Sequence, residues 1–257
     1  MSRVLIEHHG RVLHLINNAP EQRNAFGLDF YDHMIPALEG AATDDSVGAV
    51  VISGAGGFFC AGGDVKRLAV AHKHDFAERQ KGVDRLHEMM RLIRDCPKPV
   101  IAAVEGGAAG AGASLAAMCD LIVAEAGSYF MLAYVKIGIV PDGGATWSFA
   151  RALPRQFAAE MALTGGRVPA DRLHQLGVVN RLSDQAVADA LAWAAELAEG
   201  PSGSMAAIKK LVRDAEEASL EAQFEAEAVG IATALASPDG IEGATAFLEK
   251  RKPKFHG

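Results

Sequence analysis

Apolar residues occur along this chain in short continuous runs separated by turn-forming residues. The runs at 48–53, 100–104 and 121–124 are typical of buried strands. Upstream of them, apolar residues three or four positions apart predict a helix over 27–40. A glycine loop and an alanine-rich helix connect the second run to the third, and this order implies parallel strands with a right-handed crossover. The pattern therefore predicts an α/β fold.

The segments around these runs complete the expected element order. Two short strands, at 4–7 and 11–16, are predicted to form a hairpin. Residues 69–82 are polar and are expected to lie in solvent, and helical spacing resumes over 83–95. A further short strand is predicted at 176–182.

The last third of the chain has a helical pattern from Asp184 onward. The stretch from Gly200 to Gly203 is its clearest break. We therefore predict a core domain over residues 1–200 and a C-terminal helical domain over residues 201–257.

Composition narrows the classes of function. The net charge of −7 over 257 residues gives no reason to expect nucleic acid as a partner. Three cysteines without CxxC spacing suggest free thiols in a reducing compartment. No apolar run is long enough for a membrane span, and the early Glu7 does not fit a signal peptide, so a cytoplasmic protein is expected. His72 and His74 have no third ligand nearby, so no metal site is expected there.

Two glycine-rich corners each lead from a predicted strand into a predicted helix. In the first, Phe58–Asp64, two glycines precede Asp64, a residue type that caps helices. The second is Glu105–Gly112. If their strands are neighbours, backbone N–H groups from both corners converge on one point. Two such donors form an oxyanion hole, in which losing one donor costs about 2.7–4 kcal/mol of transition-state stabilisation.

Six segments in a fixed order carry a family pattern: Asn24–Ala25, Phe59–Asp64, Lys98–Gly106, Gly110–Asp120, Gly138–Gly144 and Phe247–Arg251. In this order and spacing they resemble the crotonase, or enoyl-CoA hydratase/isomerase, superfamily. The resemblance implies a crotonase-like spiral of ββα units with a C-terminal helical trimerisation region. It also implies an acyl-CoA thioester as substrate, no cofactor beyond the coenzyme A of that substrate, and a homotrimer or a dimer of trimers.

The resemblance also assigns residues to the site. The N–H groups of Gly63 and Ala111 would hold the thioester oxygen, and Tyr134 would line the acyl pocket. The residues implied in binding coenzyme A are Ala61, Gly62, Gly63, Asp64, Val65, Lys66 and Leu68.

The departures from the family pattern decide the expected reaction. Hydratases of the superfamily use two glutamates to activate water, and Ser114 and Tyr134 occupy those positions here. Asp142 resembles the proton-shuttling acid of the isomerases, of 1,2-epoxyphenylacetyl-CoA isomerase in particular. We therefore predict an acyl-CoA isomerase that shifts a double bond or isomerises a ring epoxide.

Several alternatives stay open at this point. The chain is alternatively an enoyl-CoA hydratase, a serine thioesterase or hydrolase built on Ser114, or an acyl-CoA binder without catalysis. For Asp142 itself, the alternative role is the N-cap of the following helix.

Overall fold

The computed structural model describes residues 2–255 of the chain. Met1, His256 and Gly257, which belong to the two predicted domains, lie outside the described residues. The strands within the described residues are β1 (Val4–His9), β2 (Val12–Asn17), β3 (Ala49–Gly54), β4 (Val100–Val104), β5 (Gly107–Ala109), β6 (Leu121–Glu125), β7 (Tyr129–Met131), β8 (Arg167–Pro169) and β9 (Arg181–Ser183).

The α-helices follow the strands in an order typical of α/β proteins. Within the described residues they are α1 (Leu28–Thr43), α2 (Val65–Val70), α3 (Phe76–Asp95), α4 (Ala111–Met118), α5 (Ala145–Ala152), α6 (Arg155–Thr164), α7 (Ala170–Gln175), α8 (Ala186–Ala198), α9 (Ser202–Asp214), α10 (Leu220–Leu235) and α11 (Pro238–Leu248). None of these helices combines the length and the apolar character that a bilayer crossing requires.

The strands form two sheets. The larger sheet has the order β1-β2-β3-β4-β6-β9, with β1 antiparallel to β2 and the other neighbours parallel. The smaller sheet has the order β5-β7-β8. The predicted α/β fold is therefore confirmed, including the parallel pairing of β3, β4 and β6.

The central strands are continuous apolar runs because both faces of the larger sheet are covered. On β4, Val100 and Ala102 belong to the core that contains residues of α1 and α3, whereas Ile101 and Ala103 face the other way. That second face packs against the buried alanines of α8.

Two predicted boundaries differ from the structure by more than three residues. Helix α3 begins at Phe76 rather than at 83, because the Asp75 side chain caps it by accepting a hydrogen bond from the N–H of Glu78 at 2.8 Å. Its first turns are exposed and therefore lack apolar periodicity. The strand predicted at 176–182 is limited to β9, because the N–H groups of Val178 and Val179 bond to Leu173 and close α7 instead.

The predicted boundary near residue 200 falls between α8 and α9. Helix α9 is nevertheless tied to the preceding part of the chain, since Lys209 Nζ lies 2.6 Å from Asp120 Oδ2. The division into two domains stays a prediction.

Candidate active site

The two glycine-rich corners predicted from the sequence lie against each other. The N–H of Cys60 donates to the carbonyl of Gly107 at 3.3 Å, and the N–H of Ala109 donates to the carbonyl of Cys60 at 2.9 Å. These bonds form an isolated parallel bridge between the first corner and β5. The connection between β3 and α2 is thereby fixed beside the connection between β4 and α4.

Both corners need glycine because their backbones approach so closely. Gly62 has a φ of +91°, and a Cβ at that position would lie 2.7 Å from the Ala109 carbonyl oxygen and 3.0 Å from the Ala111 nitrogen. A Cβ on Gly112 would lie 2.4 Å from the Cys60 carbonyl oxygen. Larger residues at either position would push the two corners apart.

The hydrogen bonds around Gly63 leave its own N–H free. Phe26 donates to the carbonyl of Gly62 at 2.6 Å and accepts from the N–H of Asp64 at 3.2 Å, so Gly63 points its amide away from Phe26. Within residues 2–255, neither the Gly63 N–H nor the Ala111 N–H donates to a protein acceptor. The amide of Ala111 opens α4, where helices leave N–H groups unpaired. Two free donors therefore lie on adjacent pieces of backbone.

Hydrogen bonds from the Asn24 side chain hold the first corner in place. This residue is fully buried, and its φ of +56° is one that asparagine tolerates better than most residues. Its Oδ1 accepts from the N–H of Ala19, and its Nδ2 donates to the carbonyls of Ala55 and Phe58. The side chain thus joins the loop after β2 to the loop after β3, immediately before the site.

The residues predicted to bind coenzyme A follow the first corner. Asp64 caps α2 as predicted, since its side chain accepts from the N–H of Lys66 at 2.9 Å. Ala61 is half-buried, whereas Val65, Lys66 and Leu68 are exposed on α2. An apolar and cationic surface therefore borders the free amide of Gly63.

Asp142 is joined to Tyr134 and Ser114 by a continuous hydrogen-bond network. The Tyr134 hydroxyl donates to Asp142 Oδ1 at 2.9 Å and lies 3.0 Å from Ser114 Oγ. Ser114 Oγ also lies 3.1 Å from the backbone carbonyl of Asp142. Since Tyr134 donates its proton to Asp142, the Ser114 hydroxyl donates to Tyr134, to that carbonyl or to the Gly110 carbonyl at 3.4 Å.

This arrangement argues against two roles considered for these residues. Gly144, rather than Asp142, is the N-cap of α5, and no side chain caps that helix. Ser114 is fully buried, and within residues 2–255 no histidine hydrogen-bonds to its hydroxyl. A serine nucleophile needs an adjacent base, so the geometry disfavours the hydrolase alternative.

The surroundings of Asp142 favour proton exchange. Burial raises the pKa of its carboxyl group above the usual range, and the Tyr134 hydrogen bond and the nearby His87 partly oppose that rise. Burial and the charge of Asp142 also raise the pKa of Tyr134, which keeps its hydroxyl protonated. A carboxyl group with a raised pKa is suited to take up and release a proton near neutral pH.

A cavity of about 210 Å³ adjoins the Asp142 turn. His87 Nε2 accepts a hydrogen bond from the N–H of Gly143 at 3.4 Å. The cavity is lined by His87, Met90, Arg91, Arg94, Met118, Gly143, Gly144 and Trp147. His87 and Met90 were not among the site residues predicted from the sequence, although the lining residues of α3 recur at helical spacing.

Comparisons with known proteins identify the family of this chain. The sequence profile described as enoyl-CoA hydratase/isomerase matches residues 7–257. The chain belongs to the enoyl-CoA hydratase/isomerase family. The crotonase-like fold implied by the sequence resemblance is therefore confirmed.

Relatives in this family carry the names of different reactions. The chain is 34% identical to 1,2-epoxyphenylacetyl-CoA isomerase of Escherichia coli (strain K12), covering 96% of this chain and 95% of that protein. It is also 34% identical to 2,3-dehydroadipyl-CoA hydratase of the same organism, with 100% of both chains covered. A solved enoyl-CoA hydratase from Polaromonas sp. JS666 is 40% identical, superimposes with a TM-score of 0.96 and covers 98% of each chain. Family membership therefore does not by itself select isomerase or hydratase.

Proposed function

We propose that this member of the enoyl-CoA hydratase/isomerase family is an acyl-CoA isomerase with Asp142 as its proton shuttle. The observation that carries the proposal is the hydrogen bond from Tyr134 to Asp142 Oδ1. It holds one carboxylate oxygen and leaves the other for a substrate. Ser114 and Tyr134, at the positions of the two hydratase glutamates, have side chains that stay uncharged at neutral pH.

The thioester carbonyl oxygen is proposed to bind between the N–H groups of Gly63 and Ala111. Negative charge that develops on this oxygen is then stabilised by two preorganised backbone donors. This assignment is supported because, within the described residues, neither N–H group donates a hydrogen bond to a protein acceptor. The backbone from Ala61 to Lys66, with the side chain of Leu68, is proposed to line the coenzyme A cleft.

For a 3-enoyl-CoA, the proposed reaction is a shift of the double bond. The Asp142 carboxylate takes a proton from C2, and the electron pair of that C–H bond forms a conjugated enolate. The carboxylic acid then returns the proton to C4, which leaves a 2-enoyl-CoA. This step is redox-neutral and balances without any cofactor beyond the coenzyme A of the substrate.

Tyr134 is proposed to orient the Asp142 carboxylate rather than to transfer protons itself. Its raised pKa keeps the hydroxyl a hydrogen-bond donor throughout the reaction. The cavity beside Gly143, with Met90, Met118 and Trp147 in its wall, is proposed to accept the acyl group.

The competing function is hydration of a 2-enoyl-CoA. The observation in its support is the 34% identity of the chain to 2,3-dehydroadipyl-CoA hydratase over its full length. One carboxylate in the Tyr134–Ser114 network does not supply the two acidic groups that the family's hydratases use. We therefore rank hydration second.

The deciding experiment measures Asp142→Asn with a 3-enoyl-CoA, a ring-epoxide arylacetyl-CoA and crotonyl-CoA. We expect wild-type isomerase turnover to fall by about 10²–10⁴-fold, which is typical for loss of a general acid–base group. Binding of the acyl-CoA is expected to persist, because the backbone donors are unchanged. Asp45→Asn, at an exposed carboxylate away from the site, is the matched control and should keep full activity.

Two outcomes would overturn the proposal. Full turnover by Asp142→Asn would remove Asp142 from the mechanism. Hydration of crotonyl-CoA by the wild type at a rate above both isomerisations would make the protein a hydratase.

A further inference from the structure

Three potential metal ligands lie together on the N-terminal hairpin. Glu7 and His9 are two residues apart on the edge strand β1, so their side chains share one face of the sheet. Glu7 is directly opposite His14 in the register of β1 with β2. The ligand atoms of Glu7, His9 and His14 all lie within 4.8 Å of one another. This cluster belongs to a different part of the fold from the Asp142 network.

The distances within the cluster combine one long hydrogen bond, between Glu7 and His9, with one gap that suits a small ion, between Glu7 and His14. Glu7 Oε2 lies 3.3 Å from His9 Nε2 and 3.8 Å from His14 Nδ1, so its contact with His14 is too long for a hydrogen bond. Ligand atoms around a tetrahedral zinc ion, with bonds of about 2.0–2.1 Å, are about 3.3 Å apart. The exposed side chains of Glu7 and His9 have room to close the remaining gaps.

His14 has a free nitrogen that faces the cluster. The residue is 4% exposed, and its Nδ1 atom is buried without a hydrogen-bond partner within the described residues. Its other ring nitrogen, Nε2, lies 2.8 Å from Ser53 Oγ on β3. With the proton on Nε2 and donated to Ser53, Nδ1 carries a lone pair that is directed toward Glu7.

The Ser53 contact also provides the support that metal-bound histidines usually have. A ligating imidazole almost always donates its second N–H to a neighbouring oxygen, which fixes the tautomer and the ring orientation. The Ser53 contact therefore fixes the His14 ring with Nδ1 on the side of Glu7 and His9.

We propose that Glu7, His9 and His14 form a binding site for a divalent transition-metal ion of the zinc class. Imidazole and carboxylate ligands together suit such ions, and three protein ligands leave one position for water. The ion would link β1 at the sheet edge to the buried His14 of β2. Its role would be to hold the hairpin, since no residue of the proposed active site takes part.

The test uses the untagged full-length protein after removal of metal with a chelator, because an affinity tag would add histidines. Zn²⁺ and Co²⁺ are titrated by calorimetry and by visible absorption, respectively. We expect one saturable site per chain and a rise in Tm with Zn²⁺. Glu7→Gln and His9→Gln should each weaken binding by at least about tenfold, as loss of a ligand requires.

His8→Gln is the matched control, because His8 lies between the two ligands on β1 and its side chain points to the other face. This variant should bind like the wild type. Nitrogen NMR of His14 should show a Zn²⁺-dependent shift at Nδ1 with Nε2 still protonated. Equal Zn²⁺ affinity in all four proteins, or no saturable binding by the wild type, would overturn the site and leave an ordinary ion-pair cluster.

Discussion

Helices α1 and α10 both contain 16 residues, yet they bury very different amounts of apolar surface. Helix α1 buries six residues against the sheet and the neighbouring α3, whereas α10 buries none. Four large apolar residues of α10, Leu220, Phe224, Ile231 and Leu235, nevertheless share one side at helical spacing. A row of exposed apolar side chains therefore predicts an interface, but it does not say that the partner lies in the same chain.

The difference extends to the whole region after Gly200. Helices α9, α10 and α11 bury one residue among them within the described residues, Ala246. Phe247 and Leu248, at the end of α11, are 83% and 81% exposed. Large apolar patches on a protein surface mark interaction sites. We propose that further copies of this chain cover these helices, as the sequence resemblance to a trimeric family implies.

The strongest test of this contrast is the double variant Phe224→Asp with Ile231→Asp. Each exposed apolar side chain contributes about 1.5–3 kcal/mol when it is buried in an interface. The two substitutions together should therefore weaken the free energy of association by about 4 kcal/mol per chain. Light scattering should show a multiple of the 27.0 kDa chain mass for the wild type and a shift toward 27.0 kDa for the variant. Ala222→Asp, on the other side of α10, should keep the wild-type mass. A wild-type monomer would end the proposal.

The second test makes the same substitution in both regions. Gly112→Ala in α4 places a Cβ 2.4 Å from the Cys60 carbonyl oxygen, and overpacking of this kind should cost about 3 kcal/mol. Gly203→Ala in α9 has open space around it and should stabilise the helix by up to about 1 kcal/mol. Denaturant unfolding measures both changes. Equal effects would show that the two regions are packed alike.

The smallest expected effect concerns the carboxylates of the two regions. Burial raises the pKa of Asp142 above its unfolded value, so its ionisation weakens folding as pH rises through the folded pKa. Asp142→Asn should therefore raise the free energy of unfolding at pH 7 by about 1 kcal/mol or less, and this gain should disappear near pH 3. A loss of stability at pH 7 would contradict the pKa direction.

Glu242 on α11 provides the opposite case for comparison. Hydrogen bonds from Arg251 and from the N–H of Lys254 lower the pKa of its carboxyl group to about 2. Its contribution to stability is fully present above the unfolded pKa and is lost as pH falls through the folded pKa of about 2. Glu242→Gln should accordingly lower Tm at pH 7, in contrast to Asp142→Asn.

Local features of the fold were predictable because they depend on near neighbours. The buried strands followed from apolar runs, and the Asp64 cap followed from a residue type before a helix. The start of α3 at Phe76 was missed because its exposed first turns carry no apolar signal. The hairpin register that brings Glu7 opposite His14 was within reach of the sequence, since the turn of a hairpin fixes its register.

The site was predictable only in its separate parts. Gly63, Ala111 and Asp142 were singled out by sequence, but the bonds among Ser114, Tyr134 and Asp142 join residues up to 28 positions apart. Those contacts depend on where α4 and the loop after β7 meet, which no local pattern encodes. His87 was missed for the same reason, because its bond to Gly143 spans 56 positions.

The hydrogen bond from Tyr134 to Asp142 has a stereochemical consequence. Because one oxygen of the Asp142 carboxylate accepts the hydrogen bond from Tyr134, only the other oxygen is free to act as the base. That oxygen reaches a planar enolate from one face. Under the proposed chemistry, hydrogen would leave and return on the same face of the acyl chain. Deuterium placed at C2 would then reappear at C4 in part, instead of being lost completely to water.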